Sequence, residues 1–236
     1  LPPTPGPAVL PNARGTGTVA IGRFKNQKLD VRDVRAAIAL EPGVLEVTRY
    51  DLAGYGGHVG GKARIDLTDP VHPAIATQAT IDSVQADAIL GTWTGASGLL
   101  KGALSTSLDL STRGSQPADL LRTLTATGIA LVVNGQVGPS QVLQSVAGFT
   151  RIPGLAQVKF KDVKTPFRVE NGRVATGPSR LTGDYGDWVV TGMVGFDGAL
   201  DYAASVTLPK EVSERIGGKS ALAAGALADE QGRLLL

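Results

Sequence analysis

Apolar and polar residues alternate along most of this chain, the period-two signature of strands that turn one face to a core. Val19 and Ile21 alternate first, followed by Val34, Ala36, Ile38 and Leu40. Ala63, Ile65 and Leu67 come next, then Ile75, Thr77, Ala79 and Ile81. Late in the chain Trp188, Val190, Gly192, Val194 and Phe196 form one alternating run, and Leu200, Tyr202, Ala204, Val206 and Leu208 another. Asn134-Gly135, Asn171-Gly172 and Asp197-Gly198 sit between alternating segments. Such dipeptides accept the positive φ of a two-residue hairpin, so each predicts antiparallel neighbours. Pro42-Gly43 predicts a turn of another geometry.

Short helices interrupt the strands. Ser115 is placed to cap one, with Pro117 in its first turn and Leu120, Leu121 and Leu124 on one face. Residues 139–148 put Val142, Leu143 and Val146 at helical spacing. Two more helices are expected near 84–92 and 209–216. All are too short for a bundle and are expected to pack on a sheet. The predicted class is mainly β (α+β): a long antiparallel meander with a few short helices on one side.

The chain also repeats itself. An ungapped offset of 129 residues sets Asp33-Val34-Arg35 against Asp162-Val163-Lys164. It also aligns Ile38 with Phe167, Leu40 with Val169, Glu41 with Glu170, Gly43 with Gly172 and Gly54 with Gly183. Each copy reads as strand, break at Asp-Val, strand, tight turn, strand, Gly-rich turn, strand. That is a meander of about four strands, the size of one sheet. The expected organisation is a Pro-rich linker over 1–14 and a single β domain over 15–236, with related meanders at about 29–67 and 158–198.

Composition narrows the function classes. Glycine is frequent, with 31 residues, and the 23 basic and 21 acidic side chains are interspersed, so nucleic-acid binding has no compositional support. Cysteine is absent, which excludes disulfides and thiolate metal sites. No run of about 18 apolar residues occurs, and no charged-then-apolar leader follows Leu1-Pro2-Pro3. With Leu234-Leu235-Leu236 read as the inside of a strand, we expect a piece cut from a longer protein.

Candidate chemistry is sparse. Gly56 to Lys62 has the spacing of a phosphate-binding loop, but Ala63 stands where a Ser or Thr should hold magnesium, and the following residues alternate as a strand. Gly218-Lys219-Ser220 lacks the upstream glycine, and Gly15-Thr16-Gly17 has no preceding strand or following helix. His58 and His72 have no second ligand at metal-binding spacing. Asp66, Asp69, Asp184 and Asp187 fall near expected turns, where capping is the ordinary role of an acid. A catalytic carboxylate pair stays open as an alternative that needs two of them facing across a cleft. Trp188, on an alternating strand, is expected in a sheet-face core. No catalytic residue, cofactor or metal is expected.

The middle of the chain carries a family likeness. A short helix over Ala86-Asp87-Ala88-Ile89-Leu90 precedes a strand from Leu100 to Leu110. Gly114 and a helix with Leu120-Leu121 follow, and then a strand from Thr127 leads to Asn134-Gly135. This succession, continued by 158–208, resembles the C-terminal region of AsmA-family proteins. The resemblance implies a bacterial envelope protein facing the periplasm, with a parent chain held in the inner membrane by an N-terminal helix. It also implies a curved sheet forming an apolar groove, and a role in phospholipid transport or outer-membrane assembly. Even about twelve strands at about 4.8 Å span only about 60 Å, so this chain would be one section of a longer conduit. The groove candidates are Val34, Ile38, Leu40, Val163, Phe167 and Val169, which share one phase in the two copies. Expected partners are lipid acyl chains or other apolar cargo and the remaining segments of the parent protein. The alternatives are that these residues pack on the domain's own helices, or that the chain is a structural module pairing through strand edges.

Overall fold

The computed structural model describes residues 13–26, 29–94 and 97–210. Most of the Pro-rich linker, the helix expected at 209–216 from residue 211 on, Gly218-Lys219-Ser220 and Leu234-Leu235-Leu236 lie outside the described residues.

The architecture is mainly β. The strands are β1 (Gly15–Lys25), β2 (Asp30–Glu41), β3 (Val44–Gly54), β4 (Gly57–Asp66), β5 (Ala74–Gln85), β6 (Leu100–Arg113), β7 (Thr125–Val137), β8 (Val158–Glu170), β9 (Arg173–Gly183), β10 (Gly186–Gly195) and β11 (Leu200–Thr207). Helix α1 (Ala86–Thr94) follows β5, α2 (Pro117–Thr123) follows β6, and α3 (Gln141–Thr150) with a 3-10 turn (Pro153–Ala156) lies between β7 and β8. The strands form one sheet in sequence order. β1 to β5 pair antiparallel in succession, and so do β10 and β11.

The turns explain this order. Asn171 and Gly172 both have positive φ, 52° and 70°, and close the β8–β9 hairpin as the sequence predicts. Tyr55 and Gly56, at 52° and 84°, do the same between β3 and β4. The other two dipeptides behave differently. Asn134-Gly135 makes no hairpin: it lies inside β7, where Asn134 has φ 52° and acts as a bulge. Asp197-Gly198 belongs to a longer loop in which Gly195 N–H donates to Ala199 O at 2.8 Å and Ala199 N–H to Asp197 Oδ1 at 3.0 Å.

The Asp-Val breaks are also bulges rather than ends of strands. β2 runs through Asp33, whose φ of 53° and register shift between Arg32 and Arg35 restore the apolar phase from Val31 to Val34. β8 likewise runs through Asp162, with Phe160 and Val163 both buried on either side of it. Gln116, not Ser115, stands at the N-terminal cap position of α2 and makes no side-chain capping bond, while the Ser115 hydroxyl donates to Val71 O at 3.1 Å. In α3, Ser140 accepts from Leu143 N–H and Leu143 is buried, while the side chains of Val142 and Val146 lie outside the described residues.

Backbone proximity divides the chain into two compact units. The first comprises Leu1–Val84, Ser105–Gly128 and Arg168–Arg173; the second comprises Gln85–Leu104, Ile129–Phe167 and Val174–Leu236. The second has a contiguous core. Val132, Val158, Phe160, Val163, Leu181, Trp188 and Val206 project from its strands, and Leu143 and Ala147 of α3 with Leu155 of the 3-10 turn pack against them. Gly135 is what lets Phe160 lie flat in that core: a Cβ there would overlap its ring. Trp188, 5% exposed, is the sheet-face core residue that the alternation predicts.

Candidate functional site

The apolar face of the first unit is assembled by strand register. Residues directly opposite in an antiparallel pair project from the same face. One row is Leu40, Leu45, Ile65 and Ile75. The next is Gly17, Ile38, Val47, Ala63 and Thr77, and the third Val19, Ala36, Tyr50, Gly61 and Ala79. Leu52, Val59 and Ile81 continue a fourth, and the Ile21–Val34 pair extends the face on β1 and β2. Gly61 makes room for the Tyr50 ring, since a Cβ would stand 2.8 Å from its hydroxyl. That hydroxyl reaches Thr77 Oγ1 at 3.2 Å, and Thr77 Oγ1 also donates to Lys62 O at 2.8 Å.

Cover distinguishes this face from the core of the second unit. Residues of β2 to β5 on the apolar rows are half-buried, and on β1 Val19 and Ile21 remain 39% and 41% exposed. The helix of the first unit, α2, has no buried residue. It is tied to β6 by Thr112 Oγ1, which donates to Leu120 O at 2.7 Å. An antiparallel sheet face of this composition, left half in water, is a surface that apolar material would stabilise.

The six groove candidates therefore divide by environment. Val34, Ile38 and Leu40 lie together on β2, half-buried. Val163 sits in the helix-covered core of the second unit. Phe167, also of the second unit, is half-buried, and Val169 of the first is buried. Sequence alternation marked the phase of each strand. It could not name Val47, Tyr50, Val59 or Ile81 as neighbours of Ile38 and Val34, because only register brings them together. Tyr50 is further hidden, because a register shift between Val47 and Tyr50 breaks the β3 alternation.

Two depressions adjoin these rows: Val47, Ala63 and Thr77 of the second row line the larger, and Gly61 and Ala79 of the third line the smaller. The larger, about 910 Å³, is in the first unit and includes Glu46, Lys62, Arg64, Gln78, Asp109 and Arg168 in its lining. Arg64 and Glu46 are paired at 2.6 Å across it, and Ser111 and Thr125 share a hydroxyl–hydroxyl bond of 2.7 Å. By register Arg64 faces Glu46 and Ala76, on the side opposite Ile65. Its lining mixes these polar groups with Val47, Ala63, Leu110 and Val169. Of the six candidates only Val169 is in its lining, and a smaller depression of about 460 Å³ beside it contains none.

Three of the four turn carboxylates, Asp66, Asp69 and Asp187, are engaged in local bonds. Asp66 accepts from the hydroxyl and N–H of Thr68, and these bonds hold its carboxyl below the ordinary value. Asp69 is lowered likewise, first by the His72 N–H and then by Val71 N–H and the His72 ring. Asp187 accepts from Thr182 Oγ1 at 2.8 Å. Lowered carboxyls of this kind are poor proton donors near neutral pH. Among the described residues no three His, Asp or Glu side chains gather as a metal site, and no helix is long and apolar enough to cross a membrane.

A search of curated proteins and one of solved structures returned no match to the chain. The model of the AsmA family matches residues 16–178, from β1 into β9 and more than half of the chain. That family is one of bacterial envelope proteins. The match covers most of the roughly 16–208 stretch that carries the resemblance, including β1 to β5 and the Ala86–Gly135 succession, and on this ground the chain belongs to the AsmA family.

Proposed function

We propose that this chain is a non-catalytic, periplasm-facing module of a bacterial envelope protein. It handles phospholipid, and the apolar rows of β1 to β5 receive the acyl chains. The observation that carries this reading is the contrast in cover. Val163 and Phe160 are sealed beneath α3, whereas Ile38, Val47 and Leu45 are half-buried in a unit whose helix buries no residue. Acyl chains on that face would remove apolar area from water at roughly 25 cal/mol per Å². The remaining segments of the parent protein are the partners that would extend the surface. The chain purified from membranes in mild detergent is expected to carry phospholipid, detected by mass spectrometry of its extract. Ile38→Glu, which places a charge in the second row, is expected to strip that lipid while the fold is kept. Lipid-free protein, or an unchanged load in the variant, would refute the reading.

A second reading has its own observation. All eleven residues of β1, at the edge of the sheet, are exposed. Val19, Ile21 and Phe24 are among them, so the strand is a template for pairing with another segment. Protein that binds a partner strand and carries no lipid would favour this structural role.

A further inference from the structure

In the second unit, the face of β7 to β9 turned away from the core is basic and carries exposed aliphatic side chains. Val158, Phe160 and Val163 are buried, so the intervening Lys159, Lys161 and Lys164 point outward. On β9, Ser179 and Leu181 are buried and Arg180 between them is exposed. None of these four cations makes an ion pair among the described residues. On the neighbouring β7, Ile129 and Leu131 lie on the exposed phase, opposite to buried Val132, and are 51% and 37% exposed. Asp162, at the β8 bulge, is the acidic residue among the three lysines.

Ile129 and Leu131, two residues apart on one outer strand face, form a small apolar patch. Beside a row of unpaired cations they have the composition of a surface that rests on lipid headgroups: charge meets phosphate, and the aliphatic tips enter the interfacial layer. A nucleic-acid surface would use the cations but has less use for Ile129 and Leu131, since its recognition runs through phosphate contacts and aromatic stacking.

We infer that the outer face of β7 to β9, through Lys159, Lys161, Lys164 and Arg180 with Ile129 and Leu131, docks on an anionic membrane surface. This goes beyond the acyl-chain reading and is independent of it. It uses strands of the second unit that carry none of the acyl-chain rows, and Ile38→Glu leaves every one of its residues in place.

Co-sedimentation of the whole chain with vesicles of equimolar phosphatidylcholine and phosphatidylglycerol tests it, with pure phosphatidylcholine vesicles as the comparison. Binding is expected on the anionic vesicles only, and to weaken as salt is raised. Lys159→Gln, Lys161→Gln and Lys164→Gln together should weaken it on the order of a hundredfold, at about fivefold per cation. Ile129→Ser with Leu131→Ser should weaken it further in a way that salt does not reproduce. The lysines are exposed, so circular dichroism of the variant should match the parent; the salt titration of the parent tests the same claim without any substitution. Equal binding to both vesicle types, salt-independent binding, an unchanged affinity in the lysine variant, or tighter binding to single-stranded DNA than to the anionic vesicles would overturn the inference.

Discussion

Gly135 shows how much one hydrogen atom decides in this fold. Its backbone passes over the Phe160 ring, and a methyl group there would overlap the ring carbons. Gly135→Ala should cost about 1–3 kcal/mol through overpacking, read as a lower midpoint in urea. Trp188→Ala removes the largest ring of the same core and should cost about 3–5 kcal/mol. The Asn134-Gly135 pair also marks what a residue pattern conveys and what it does not. The positive φ of Asn134 is written in its type, but the space that Gly135 leaves is taken by Phe160, from β8. Nothing local to the dipeptide announces that ring. A pH dependence follows from three acids. Hydrogen bonds hold the carboxyls of Asp30, Asp66 and Asp69 below their ordinary value, from the Arg23 guanidinium, from Thr68, and from the His72 N–H respectively. Folding favours their ionised forms, so the stability they supply is complete above about pH 4. It is lost as the pH falls through the lowered values. None of the three is buried, so the decline in melting temperature should be shallow. Replacing the three by Asn should flatten it, and an acid limb unchanged by that replacement would show that other groups set it.

At the scale of elements, the bulge is the device that the sequence half discloses. The shared Asp-Val at 33 and 162 signals a change of apolar phase, and alternation alone reads such a change as the end of a strand. The backbone solves it with one left-handed residue at Asp33, which keeps Val31 and Val34 on one face of an unbroken β2. Asp33→Val should therefore lose about 1–2 kcal/mol, because a β-branched residue resists that conformation. Asp33→Gly should be tolerated, and paired denaturation curves of the two variants separate backbone from side-chain effects. The helices were legible to within a few residues because their spacing is local. Their caps were less so: Ser115 has the right type for a cap, but Val71 O, far away in sequence, claims its hydroxyl.

For the molecule as a whole, alternation told which residues share a face but not what lies on it. The same apolar phase runs through β2 and β8. In the second unit, α3 and the 3-10 turn fill the face with Leu143, Ala147 and Leu155. In the first, rows such as Leu40, Leu45, Ile65 and Ile75 stay half in water. That asymmetry rests on where a ten-residue helix docks, a tertiary choice that residue periodicity does not encode. Family membership then supplies the envelope context, and the open rows supply the surface on which cargo would lie. The most direct measurement is photocrosslinking to phospholipid with a benzoylphenylalanine placed either at Ile38, in the apolar rows, or at Lys62, on the opposite face of the first unit. The account predicts a lipid adduct at position 38 and none at position 62. Equal labelling at the two positions, or no adduct at 38, would contradict it.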